Sequence, residues 1–291
     1  MVSSKQMADC GEVGSVVGMR DGEAAGGLKF AANLTMWYAQ SPFDERLARA
    51  RAAGFSAVEF MFPYREPLER LSATIRHHQL EVVLFNLPAG DVDSGERGIA
   101  VLPDRADEFK RGLDKALLYA RELDCRRLNC LAGIRPPSLD PALASETLLE
   151  RVRYAADALA AEGRTLLIEP VNPFDIPGFF LNTADHVLRL IAQSERPNVK
   201  LQYDVYHQQR TRGELIATFQ RAKDYIGHLQ VADNPGRHQP GTGEINFANL
   251  WRAFEEQGYS GYIGLEYLPV GGEQESLRWW REYLDHHRPD R

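Results

Sequence analysis

Four oxygen-bearing side chains stand where short aliphatic runs give out: Glu169 in TLLIEP, Asp204 in VKLQYDV, Gln230 in GHLQVAD and Glu266 in GYIGLEY. Three are acids and the fourth is an amide. Oxygen donors of this kind suit a hard divalent cation such as Mg²⁺ or Mn²⁺, whereas zinc takes more His or Cys. Three carboxylates that converge repel one another and raise at least one pKa, so a metal or a proton has to compensate them. Any one of the four alone reads more readily as a solvated or helix-capping residue. Four on sequence-adjacent strands are harder to dismiss.

Weaker candidates surround them. His207, three residues past Asp204, reads equally well as a hydrogen-bonder to a substrate and as a loop histidine. Glu59, in AVEFMFPY, is either an acid supporting the site or the partner of a buried arginine, the second being slightly favoured. Arg237, in DNPGRHQPGTGE, sits on a loop too rich in Gly and Pro to be helical, where an anionic group could be held. Glu96 and Arg97, in SGERG, could do the same or could be a solvated charge pair. His207, Arg237, Glu59 and Arg97 are thus the candidates for substrate contact. The pairs His77-His78 and His286-His287 are expected to be solvated, and Trp279, Trp280 and Tyr283, at helical spacing, are expected to pack.

The elements that must position these residues alternate in type. Strand-like runs occupy 28–34, 56–62, 81–87, 126–132, 165–170, 199–205, 227–233 and 261–267, and amphipathic helical patterns lie between them. Phe43, Leu47, Ala50 and Gly54 mark one helical stripe, and Leu148, Val152, Ala155 and Leu159 another. Asp104 is expected to cap a helix whose first turn carries Asp107 and Glu108, while Gly54 and Gly163 stand where helices should end. Eight strand-helix units match the roughly 250 residues of a (β/α)8 TIM barrel, an α/β fold whose active site forms at the C-terminal ends of the strands. A doubly wound sheet would carry a Gly-rich turn after its first strand, and AANLTMWYAQS contains no glycine. Residues 1–27 are expected to be a disordered leader and 28–291 a single barrel domain.

The 291 residues are 44% hydrophobic and 26% charged, which is ordinary globular composition, and the net charge of −7 argues against nucleic acid as a partner. No run is long enough to span a membrane and no secretion signal is readable, so a cytoplasmic protein is expected. Cys10, Cys125 and Cys130 form no CxxC pair. The expected partner is a small-molecule substrate; a homo-oligomer is compatible with the sequence but not readable from it.

The segments VEFMFPY, NLPAGD, GERGIA, LLIEPVNPFDIPGFFL, LQYDVYHQQR, HLQVADNPGRHQPGTGEIN and GLEY, in this order, resemble the hydroxypyruvate isomerase family of xylose-isomerase-like TIM barrels, over Leu28 to Tyr283. The resemblance implies a divalent metal, Mg²⁺ or Mn²⁺, on Glu169, Asp204, Gln230 and Glu266, with the two glutamates as the acid/base pair. Similarity to the related ketose epimerases would put His207 and Arg237 at the substrate. The implied reaction is hydroxypyruvate to tartronate semialdehyde through an enediolate, with 2-oxo-tetronate isomerisation as the rival and sugar 3-epimerisation as a third reading. The substrate carboxylate would need Arg237 or Arg97. Phe85 and Val92 stand where family members carry His and Trp, a departure that bears on the substrate and not on the metal set. A DNA repair endonuclease, an activity found on a similar fold, would need further His ligands and a basic groove, and neither is visible. A catalytically silent binding barrel would not explain four aligned ligands.

Overall fold

The computed structural model describes residues 27–287. Eight parallel strands close a ring in chain order: β1 (Lys29–Asn33), β2 (Ala57–Glu59), β3 (Glu81–Asn86), β4 (Arg127–Asn129), β5 (Thr165–Ile168), β6 (Val199–Asp204), β7 (Ile226–Val231) and β8 (Tyr262–Leu265), with β1 pairing back on β8. Around them run α1 (Phe43–Ala52), α2 (Leu68–His77), α3 (Ala106–Glu122), α4 (Pro141–Ala160), α5 (Ala184–Ser194), α6 (Val205–Thr211), α7 (Leu215–Ala222), α8 (Phe247–Glu256), α9 (Glu273–Ser276) and α10 (Arg278–His286). This is the (β/α)8 TIM barrel expected from the alternation of patterns. Cys10 and residues 1–26 of the expected leader lie outside the described residues.

The strands form where aliphatic runs can be buried on both faces, and the helices where one stripe is apolar. In α4 that stripe is Leu148, Val152, Ala155 and Leu159, all buried, and the helix starts on Asp140, whose carboxylate accepts from the backbone N–H groups of Ala142 and Leu143. Gly54 and Gly163 follow α1 and α4 with φ of 101° and 65°, the left-handed region glycine enters without a Cβ clash. Asp104 does not cap α3. It lies in a 3-10 turn, Pro103–Arg105, that leads into the helix, and the capping position falls on Arg105 without a side-chain bond.

At the N-terminal end of the barrel, Trp280 stacks on Phe55 with centroids 4.4 Å apart, and Phe30 meets Trp251, Trp279 and Tyr283 edge-on. The Tyr283 hydroxyl accepts from the Leu28 backbone N–H at 2.8 Å and donates to Glu255 at 2.5 Å, tying the first strand to the last helix. His287 is not a solvated tail residue: it stacks on Tyr283 and lies 3.0 Å from Glu255. No helix among the described residues is long and apolar enough to cross a membrane.

Candidate active site

The C-terminal strand ends bring the acids together. Asp204 is the last residue of β6, Gln230 the last but one of β7, and Glu169 and Glu266 directly follow β5 and β8. One ligand atom from each of Glu169, Asp204, His207 and Glu266 lies within 4.8 Å of the others, and all four residues are buried. Gln230 lines the same cavity of about 310 Å³, together with apolar side chains that include Phe60, Phe62 and Val171.

Asp204 is ligand candidate and helix cap at once. β6 runs straight into α6, and Asp204 Oδ1 accepts from the backbone N–H groups of Tyr206 and His207 at 2.7 and 3.2 Å. Its Oδ2 is buried with no hydrogen-bond partner. The first turn of α6 then sets His207 over the cluster, with Nε2 3.7 Å from Glu169 Oε1 and 3.8 Å from Asp204 Oδ2. Nδ1 faces the Asn172 backbone N–H at 3.3 Å and its side-chain amide nitrogen at 2.7 Å. A backbone N–H can only donate, so Nδ1 accepts and the hydrogen of the neutral ring sits on Nε2. Burial pushes the imidazole down to about 4, which keeps it neutral.

Burial, then the neighbouring Asp204, pushes Glu169 up to about 8, against a 3.0 Å hydrogen bond from Asn129. Burial also raises Glu266 well above the usual carboxylate range, opposed by Arg237, whose Nη2 donates to Glu266 Oε2 at 2.7 Å. Arg237 lies 3.9 Å from Asp204 and over the Tyr206 ring. Burial would lower its pKa, but Glu266, Asp204 and Glu169 outweigh this and hold it charged. Its loop is organised by Asp233, whose carboxylate accepts from the backbone N–H groups of Gly241, Gly243 and Ile245.

Glu59 pairs with no arginine. At the end of β2 it is fully buried, with Oε2 2.6 Å from His228 Nε2 and Oε1 accepting from Gln230 at 2.7 Å and Asn33 at 2.9 Å. Both oxygens are engaged by side chains of the neighbouring strands, so Glu59 supports Gln230 and Asn33 while still lining the cavity. Because the Gln230 amide nitrogen is committed to Glu59, its carbonyl oxygen is the atom left for a ligand role, 2.5 Å from Gln202 Nε2. A Cβ on Gly264 would lie 2.3 Å from the Glu59 carboxylate, so only glycine leaves this acid its place in the barrel. Glu96 and Arg97 do not pair through their side chains. Glu96 accepts from Arg105 at 2.7 Å and from the Asp91 backbone N–H at 2.5 Å, while Arg97 lines the cavity. Phe85 is packed among Phe60 and Tyr64, and Val92 lines the cavity.

The sequence reading missed the amides that hold the acids. Asn33, Asn86 and Asn129 close β1, β3 and β4, and Asn129 bonds to both Asn86 and Glu169. The signal was present: AANL, LFNL and LNCL each set an asparagine between apolar residues. Three buried carboxylates, one with an oxygen lacking any partner, beside an amide oxygen and an imidazole, form a donor set that fits a divalent cation.

A profile for the xylose isomerase-like TIM barrel matches residues 47–283. Hydroxypyruvate isomerase of Escherichia coli (strain K12) is 46% identical over 256 residues, 88% of this chain and 99% of that protein. A 2-oxo-tetronate isomerase of Cupriavidus necator is 41% identical over 88% of this chain and 98% of its own length. Among solved structures, an AP endonuclease, family 2, from Brucella melitensis superposes with a TM-score of 0.85 at 41% identity, covering 88% of this chain and 99% of that one. D-psicose 3-epimerase of Clostridium cellulolyticum H10 shares the fold with a TM-score of 0.71 at 19% identity, over 89% of this chain and 95% of that one.

Proposed function

Because this chain belongs to the hydroxypyruvate isomerase family of xylose-isomerase-like TIM barrels and is an isomerase, we propose that it interconverts hydroxypyruvate and tartronate semialdehyde. The observation that carries this reading is the convergence of the Glu169 and Glu266 carboxylates, with Asp204, in one buried cluster at the barrel mouth.

The reaction needs a proton moved between adjacent carbons. The C3–H proton leaves to one of the two glutamates, and its electron pair forms the C2–C3 double bond of an enediolate. A proton returns to C2, from the same carboxylate or from the opposite one, while a hydroxyl proton passes from O3 to O2, so nothing is gained or lost. Glu169, Asp204, Glu266 and the Gln230 amide oxygen would hold Mg²⁺ or Mn²⁺, which when bound supplies Lewis-acid polarisation of the carbonyl. His207 offers its Nε2–H to a substrate oxygen. Arg237 fixes the Glu266 carboxylate and offsets part of the negative charge. Phe60, Phe62, Leu131 and Ile176 keep the cavity walls apolar and limit water.

The rival substrate is 2-oxo-tetronate, supported by the 41% identity to a 2-oxo-tetronate isomerase and by a second cavity of about 380 Å³ that shares Phe62 and Val92 with the first. Endonuclease activity has less support, since a groove for the phosphate backbone needs clustered cations and the chain carries a net charge of −7. The test is a pair of progress curves on hydroxypyruvate and 2-oxo-tetronate at equal Mg²⁺ or Mn²⁺. Faster turnover of hydroxypyruvate is expected; turnover of neither substrate rejects the reading.

A further inference from the structure

We propose that Arg97, and not Arg237, anchors the substrate carboxylate and is the residue by which this site prefers 2-oxo acids to neutral α-hydroxycarbonyl compounds, a step that rests on the isomerase reading above. Three side chains with basic nitrogens line the cavity: Arg97, His207 and Arg237. Arg237 is already engaged by Glu266 at 2.7 Å, with Asp204 at 3.9 Å. A substrate carboxylate brought there would compete with Glu266 for the guanidinium, beside Asp204. His207 has Nδ1 occupied by Asn172.

Arg97 differs in its partners. Its Nη1 donates to the backbone carbonyls of Val92 at 3.1 Å and Glu96 at 2.8 Å, and among the described residues no carboxylate lies within ion-pair distance of it. The Nε and Nη2 edge has no partner among the described residues, and this is the edge whose parallel donors match a carboxylate in bidentate fashion. The segment that presents it is clamped. Glu96 binds Arg105 and the Asp91 N–H, a Cβ on Gly90 would lie 2.1 Å from Glu96 Oε2, and one on Gly98 would lie 2.3 Å from the Leu131 carbonyl oxygen. A guanidinium held at one end by backbone and open at the other is a prepared anion site.

The cavity is therefore polarised, with acids from the ends of β5, β6 and β8 and a free guanidinium from the segment after β3. A short molecule with a carboxylate at one end and an α-hydroxycarbonyl at the other satisfies both. A neutral sugar carries CH₂OH where the acid carries its carboxylate and leaves Arg97 unpaired.

The experiment compares R97Q, R97K and R237K with the unaltered protein, all loaded with Mn²⁺. kcat/KM is measured on hydroxypyruvate and on glyceraldehyde, the neutral analogue that isomerises to dihydroxyacetone, and lactate, which cannot isomerise, is titrated by calorimetry. Losing one partner of an enclosed charge pair is expected to lower kcat/KM for hydroxypyruvate, and lactate affinity, by about 30- to 10³-fold in R97Q, with R97K intermediate. Glyceraldehyde turnover is expected to change less than about threefold, and R237K to impair both substrates alike. Equal loss on acid and neutral substrate in R97Q, no loss on either, or an acid-specific loss in R237K overturns the assignment. If the unaltered protein fails to isomerise hydroxypyruvate, the choice of hydroxypyruvate as substrate falls and the lactate titration decides Arg97 by itself: Arg97-dependent affinity supports the anchor, Arg97-independent affinity or none refutes it.

Discussion

Asp204 divides its two oxygens between two tasks: Oδ1 caps α6 and Oδ2 is buried without a partner beside Glu169 and Glu266. Asn in its place keeps an acceptor for the cap and removes the charge. Asp204→Asn is therefore expected to weaken Mn²⁺ affinity, measured by calorimetry, before it lowers turnover, with excess Mn²⁺ restoring part of the rate; affinity equal to that of the unaltered protein would remove Asp204 from the ligand set. Glu169→Gln and Glu266→Gln keep shape but cannot take a proton, and each is expected to lower kcat by at least about 10²-fold at saturating metal. Burial and Asp204 already push Glu169 up to about 8, so at pH 7 without metal the acid is mostly protonated and the amide replaces a neutral group of the same shape; metal-free E169Q is expected to melt no lower than metal-free unaltered protein. Near-normal turnover in either variant would reject that residue as a proton carrier. The sequence exposed these acids because a carboxylate ending an aliphatic strand conflicts with its surroundings. Glu59 was harder to read, since its partners His228, Gln230 and Asn33 come from strands remote in the chain.

The segment between β3 and α3 shows how an element sets a site. Glu96 ties residues 91–97 to the start of α3 through Arg105, which also holds Glu108. Hydrogen bonds from Arg105 keep both glutamates below the usual carboxylate range, and the Asp91 N–H adds to the effect on Glu96. A depressed folded value means that the clamp's contribution is complete above the unfolded value of about 4.3 and is lost as pH falls through the lower folded one. Backbone amides of residues 91–98, corrected for intrinsic exchange, are thus expected to stay protected from hydrogen exchange down to about pH 4 and to lose protection below it. E96Q should exchange faster at neutral pH, with a flatter pH profile; identical profiles would show that the glycines and backbone bonds alone hold the segment. This clamp was not legible because GERG reads as adjacent opposite charges, and only the fold reveals that Glu96 turns to Arg105 while Arg97 turns to the cavity. The helix start was misread for a related reason: Asp104 has the right chemistry for a cap, but Pro103 opens a 3-10 turn that moves the capping position to Arg105.

Across the whole molecule, the two ends of the barrel divide stability from chemistry, and here the sequence was most legible. Eight aliphatic runs separated by amphipathic stripes leave few ways to bury both strand faces other than a closed ring wrapped in helices. The spacing of Trp279, Trp280 and Tyr283 pointed to packing, but not to what they pack against, because Phe30, Phe55 and Trp251 are distant in sequence. Trp280 closes this N-terminal face against Phe55, opposite the carboxylate cluster, and its indole N–H is buried without a partner. Trp280→Ala removes the stacked ring and leaves a cavity, which typically costs about 3–5 kcal/mol. Trp280→Phe keeps an aromatic ring on Phe55 and deletes the unsatisfied donor, so it should lose much less. Urea unfolding of the metal-free proteins is the measurement, since bound metal would add its own stabilisation. kcat/KM per folded, Mn²⁺-loaded molecule is expected to remain within about twofold in both variants, because the rings that Trp280 meets, Phe30 and Phe55, lie at the starts of β1 and β2, whereas the site forms at the strands' C-terminal ends. A tenfold fall in kcat/KM for W280A below its unfolding range would show that the closing cluster governs the geometry of the mouth, and the division between the two ends would have to be abandoned.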